Sequence, residues 1–165
     1  MKIRLLTPDD AEEYAALRRE SLLDSPLAFT SSPEDDNASS AAHVRDMLSR
    51  GPESVILGAF SDRLVGMVGM YRERHLKRAH KMYIWGMYVA PAERGSGVAL
   101  QLMEAAVAHA RTVRGIACID LSVNSTAPGA QRVYERAGFR VWGSEPDALR
   151  YHGQITVEHH MSLQL

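Results

Sequence analysis

Cysteine is almost absent: Cys118 stands alone in the chain, so no internal disulfide can form. Its neighbours in the run GIACIDL are apolar, which marks it as a small buried hydrophobe rather than a nucleophile. Long apolar runs are missing too. No stretch approaches the roughly 18 uncharged apolar residues that a membrane span needs. The opening MKIRLLTPDD is interrupted by Arg4, Asp9 and Asp10 before a signal-type apolar segment forms. The expected address is the cytoplasm, with no membrane partner. Charge of one sign is lacking, with Lys plus Arg at 19, Asp plus Glu at 20 and a net charge of -1. Bulk electrostatics therefore gives no reason to expect nucleic acid. Seven histidines invite a metal reading, but there is no HExxH and no CxxC, and His159 and His160 in a strand point to opposite faces. No metal is expected.

What is present fits one ordinary domain over residues 1–165, with 45% hydrophobic and 24% charged residues and no internal repeat. Strand and helix patterns alternate, which implies an α/β or layered α+β fold with a mixed sheet. KIRLL at 2–6 is a strand, and Thr7-Pro8-Asp9-Asp10 then opens a helix that runs to about Leu23. A polar loop from Ser25 to Ser40 leads to a second helix ending near Ser49. Residues 54–60 and 64–71 form an antiparallel hairpin. MYIWGMYVA at 82–90 is apolar on both alternating faces and reads as a central strand buried on both sides. A helix from Gly97 to about Arg114 carries the stripe Leu102, Ala106, Ala110. Strands at 116–123, 139–143 and 154–164 and a short helix at 128–137 complete the pattern. The unit 82–123 should place its two strands parallel.

The segment VAPAERGSGVALQLM carries the chemistry. A central strand passes through a proline and a glycine-bearing turn directly into a helix. Gly95 and Gly97 let backbone N–H groups approach a ligand, and the helix start offers unpaired amides and a partial positive charge. That is an anion site in form, and a tight strand-to-helix connection fits the same residues. A nucleotide P-loop would need GxxxxGK[ST], which is absent, and the dinucleotide pattern GxGxxG is broken at Leu100.

RGSGVA at 94–99, YVAPAERGSGVALQLMEAAVAHA and the later AQRVYERAGF resemble, in order and spacing, the GNAT superfamily of acyl-CoA-dependent N-acyltransferases. The strand and helix order agrees along nearly the whole chain; the N-terminal third agrees in pattern only. The resemblance implies a GNAT-like mixed sheet flanked by helices, with acetyl-CoA as co-substrate. The central strand would splay from its neighbour, so that Met87, Tyr88 and Val89 offer backbone groups to the pantetheine arm. Arg94, Gly95, Ser96, Gly97, Val98 and Ala99 would hold the pyrophosphate. An N–H near Tyr88 or Val89 would stabilise the oxyanion. Tyr134 would serve the departing sulfur, and periodicity alone puts it on the inward face with Ala130, Val133 and Ala137. A core tyrosine has the same signature.

The chain departs from the family pattern twice. Ala127 stands where many members have an Asn, with Asn124 nearby as a substitute contact beside Ala130. MYIWGMYV has no carboxylate, so the base is left to Glu158, His160, Tyr83 or a water chain. The expected activity is acetyl transfer to a primary amine by direct attack in a ternary complex. The acceptor is open between a peptide or protein N-terminus and a small amine. The alternative is a non-catalytic acyl-CoA-binding or interaction domain. A homodimer through the C-terminal strand fits the family as well. RERHLKRAHK at 72–81 is either a solvated hairpin loop or a basic recognition surface, and the lack of interleaved aromatics favours the loop. Glu34-Asp35-Asp36 is either a solvated loop or a lure for a cationic amine.

Overall fold

The computed structural model describes residues 1–165, leaving aside the side chain of Ser39. The elements are β1 (Lys2–Leu5), α1 (Ala11–Asp24), α2 (Ala41–Leu48), β2 (Ser54–Phe60), β3 (Leu64–Arg72) and β4 (Lys81–Val89). They continue with α3 (Val98–Thr112), β5 (Cys118–Asn124), α4 (Pro128–Arg136), β6 (Arg140–Tyr151) and β7 (Gln154–Gln164). All seven strands join one mixed sheet in the order β1-β2-β3-β4-β5-β7-β6. The first three neighbours pair antiparallel, β4 and β5 pair parallel as the crossover through α3 requires, and β7 returns antiparallel between β5 and β6. No helix among the described residues is long and apolar enough to cross a membrane.

Each face of the sheet has its own core. Leu102, Met103, Ala106 and Ala110 of α3 pack with Tyr134 of α4 against Met82, Ile84, Ile119 and Leu121, which bears out the predicted helical stripe. On the other face Tyr14, Leu17 and Leu22 of α1 and Val44 of α2 cover Ile56, Val65 and Met67. This second cluster takes nothing from β5, β6 or β7. The expectation that β4 is buried on both faces therefore fails. Met82 and Ile84 are buried, whereas Lys81, Tyr83 and Trp85 are only half-buried, because neither α1 nor α2 extends its core past β4 on that face.

A second difference is the length of β6, expected at 139–143 and found at 140–151. Register irregularities at Val141/Gly143 and Glu145/Leu149 break its two-residue alternation, and Pro146 sits inside the second. An exposed edge strand of this kind leaves no periodic signal to read.

Candidate active site

β4 and β5 share only three rungs, Lys81↔Cys118, Met82↔Ile119 and Tyr83↔Asp120. The Lys81–Asp120 ion pair at 2.7 Å and a hydrogen bond of 3.0 Å between the Tyr83 hydroxyl and Ser122 Oγ close the paired end. Beyond it β5 stays with β7 to Asn124 and β4 stays with β3 to Val89, so the two strands part. The turning point is Gly86, whose φ of 64° is open to glycine and rare for other residues. A cavity of about 70 Å³ fills the gap, lined by Gly86, Met87, Ser122, Asn124, Ala130 and Tyr134 among others.

Strand polarity at the gap follows from one hydrogen bond. Ala90 donates its N–H to Val65 O at 2.8 Å, so alternation turns the N–H of Val89 to the edge that β5 has left. Arg94 reaches back to the same region. Its Nε donates to Val89 O at 3.0 Å, it pairs with Asp24, and its guanidinium lies 5.5 Å from the Tyr88 ring. The pairing holds the Asp24 carboxyl below its usual range. Tyr88 itself is buried on the α1 face, where its hydroxyl donates to Glu20 Oε1 at 3.1 Å and burial pushes its pKa up.

The turn after β4 is open. Gly95 and Gly97 have φ of 81° and 87°, and Gly97 is the N-cap of α3 with no side chain capping it. The first helical bond there is Gln101 N–H to Gly97 O, so the amides of Val98, Ala99 and Leu100 have no acceptor within the helix. Residues 94–97 are exposed, and a Cβ at Gly95 would meet nothing within 4 Å. Ser96 spends its hydroxyl on Glu93 O at 2.6 Å, which tightens the turn. Uncovered amides at the start of a fifteen-residue helix can accept an anion.

Tyr134 enters the cavity from α4. It is 7% exposed, stands edge-on to Phe139 at 6.5 Å, and its hydroxyl has no hydrogen-bond partner among the described residues. Burial raises its pKa well above the usual phenol value, so it is a neutral donor. Asn124 lies beside it with its amide occupied: Nδ2 donates to Thr156 Oγ1 at 2.7 Å, and Oδ1 accepts the Thr126 N–H and hydroxyl. That side chain fixes the loop into α4. Thr126, two residues on, was the available signal.

The three candidate bases share one face of the sheet. Tyr83 bonds Ser122, Ser122 is opposite His160, and Asn124 is opposite Glu158. Sequence reasoning missed the partners of His160, which are Glu145 and Trp142 on β6. It missed a buried ion pair as well. Asp36, from the acidic run, accepts from Arg18 Nη2 at 2.8 Å, with the two side chains only 4% and 5% exposed. The basic run is mostly internal in its pairing: Arg72 to Glu53, Arg78 to Glu73 and Lys81 to Asp120. Cys118 is buried, and burial pushes its thiol pKa up, as its apolar setting implied. A larger groove of about 770 Å³ runs past Met47, Arg50, Tyr71 and Leu76 to Trp85, which borders both cavities.

Residues 15–139 match the family model described as Acetyltransferase (GNAT) family. No curated protein matches the chain. Among solved structures, the ribosomal-protein-alanine N-acetyltransferase of Brucella melitensis superposes with a TM-score of 0.86 at 17% identity, over all of both chains. A GCN5-related N-acetyltransferase of Kribbella flavida gives 0.84 at 25% identity, over 99% of this chain and 97% of its own. The yncA protein of Salmonella typhimurium, solved with its cofactor acetyl-CoA, gives 0.83 at 19% identity over 99% and 93%.

Proposed function

The chain belongs to the GNAT acetyltransferase family, and on that premise we propose that it acetylates a primary amine by direct attack on acetyl-CoA in a ternary complex, within one domain spanning residues 1–165. The observation that carries this reading is the grouping of three features around the parted end of β4. These are the glycine turn at 94–97 with the acceptor-free amides of Val98, Ala99 and Leu100, the edge of β4 at Met87 to Val89 that no strand covers, and the Tyr134 phenol in the gap.

In this reading the diphosphate of acetyl-CoA rests on the turn, with Arg94 exchanging part of its contact with Asp24 for phosphate oxygen. The pantetheine arm adds to β4 where β5 is missing, which places the thioester near the Val89 N–H. That donor stabilises the oxyanion as the amine nitrogen attacks. The carbon–nitrogen bond forms, the carbon–sulfur bond breaks, and the sulfur leaves beside Tyr134. A thiol near 8.5 and a phenol near 10 already make full proton transfer uphill by about 2 kcal/mol, and burial of Tyr134 adds to that. Tyr134 therefore donates a hydrogen bond to the leaving thiolate. The groove that ends at Trp85 supplies the acceptor.

The test is free thiol released from acetyl-CoA across a panel of peptide N-termini, polyamines, aminoglycosides and amino acids. One member should turn over, and Tyr134→Phe should lower its kcat by about 10²-fold with little change in acetyl-CoA affinity. Unchanged turnover removes Tyr134 from this role. Saturable acetyl-CoA binding with no turnover on any amine would leave a binding domain instead.

A further inference from the structure

The open face beyond β4 carries an arrangement that the acetyl-transfer reading has not used. His160 on β7 stands directly opposite Ser122 on β5, and Ser122 lines the gap between β4 and β5. Directly opposite residues on one face hold their Cβ atoms about 4.5–5.5 Å apart, so the imidazole is one strand removed from the cavity. On its other side His160 is opposite Gly143, where a Cβ would meet nothing within 4 Å. The imidazole is partly exposed, at 29%.

The ring is held from β6. Val141 pairs with Met161 and Gly143 with His160, so Trp142 is the extra residue of a bulge. A bulge re-aims its side chain, and here the indole stacks on His160 at 5.4 Å and 28°. Glu145 Oε2 lies 3.0 Å from His160 Nε2. An ionised carboxylate only accepts, so Nε2 carries the hydrogen and Nδ1 is left with its lone pair. His159 faces the other way and bonds Ser144.

The charged and titratable groups on this face are Glu145 and Arg140 from β6, Glu158 from β7, Asp120 from β5 with its Lys81 partner from β4, and Tyr83. Glu145 and Glu158 are opposite one another across the β6–β7 pair. Two carboxylates on this face, one of them bonded to the imidazole, favour a cationic visitor.

Resting on the acetyl-transfer reading above, we propose that His160 is the base that accepts the acceptor's proton, that Glu145 is its positioning residue, and that the acceptor arrives as an ammonium. The ammonium gives one proton to Nδ1, directly or through one water at Ser122. The freed lone pair attacks the thioester carbon. When the carbon–sulfur bond breaks, the second nitrogen proton passes to the thiolate, and the imidazolium returns its proton to solvent past the exposed Glu145. One proton is released for each amide formed.

Two measurements test this. Nitrogen-15 NMR of the free protein should show His160 in the Nε2–H form, and Glu145→Gln, whose amide can donate as well as accept, should admit the Nδ1–H form beside it. With acetyl-CoA and glycinamide as probe amine, His160→Asn should lower kcat/KM near neutral pH by about 10²-fold and abolish the acid limb of the pH profile. Acetyl-CoA affinity should hold in both variants, and His159→Asn should leave rate and profile unchanged. An Nδ1–H tautomer in the wild-type protein, a tautomer preference that Glu145→Gln leaves unchanged, or an acid limb surviving in His160→Asn overturns the assignment. The NMR measurement decides without any acceptor. Failure of the wild-type protein to bind acetyl-CoA overturns the underlying reading instead.

Discussion

Asp10 accepts four hydrogen bonds, two from the Arg4 guanidinium and two from Thr7. The Arg4 bonds are the main reason its pKa falls from 3.8 to about 2. A depressed carboxyl contributes stability that is present above its unfolded pKa and lost as pH falls through the folded one. Discounted for the half-open Arg4 side, the contribution is about 1–2 kcal/mol at neutral pH. Urea unfolding of Asp10→Asn should therefore show that deficit at pH 7 and a closing gap as pH drops from about 4 towards 2. A deficit independent of pH would mean that shape, not charge, holds the start of α1. Tyr134 obeys the same physics with the opposite direction of shift. Burial with no charged partner keeps the phenol neutral, the form a donor to sulfur requires.

At the scale of elements, the turn between β4 and α3 and the parting of β4 from β5 do the positioning. Gly97 at φ 87° and Gly115 at φ 84° bracket α3, and both would carry the left-handed penalty of a side chain, roughly 1–2 kcal/mol. Only Gly97 lies among the amides assigned to the diphosphate. Gly97→Ala and Gly115→Ala should lose similar stability in thermal unfolding. Calorimetry should show acetyl-CoA affinity falling by about tenfold or more for Gly97→Ala alone. Equal affinity in the two variants would free the turn of its assigned role. The glycines and the helix stripe were legible because their signals are local. The bulge at Trp142 was not, since which residue is extra depends on the register with β7.

For the whole molecule, a co-substrate laid across α3, β4 and the β5 edge ties both cores together and should stabilise the native state as a unit. At about 100 times Kd the linkage is about 2.7 kcal/mol, which for this size raises Tm by about 5–10 °C. Acetyl-pantetheine, which lacks the diphosphate, should raise it far less at the same concentration. An equal shift from both ligands would place the affinity elsewhere than the turn. The uncovered face beyond β4 is also a whole-molecule property, because it exists only where α1 and α2 run out.

The alternation of strands and helices, the parallel β4–β5 unit, the glycine turn and the inward position of Tyr134 are all written in local residue patterns. All of these rest on spacings of two to four residues or on backbone freedom at single glycines. That Arg94 folds back to Asp24, 70 residues away, that Asp36 is buried against Arg18, and that His160 meets Glu145 follows from the packed fold alone. The reason is physical. A side chain's charge state and direction are set by whatever the fold places within a few ångströms, and no local pattern specifies which distant residue that is.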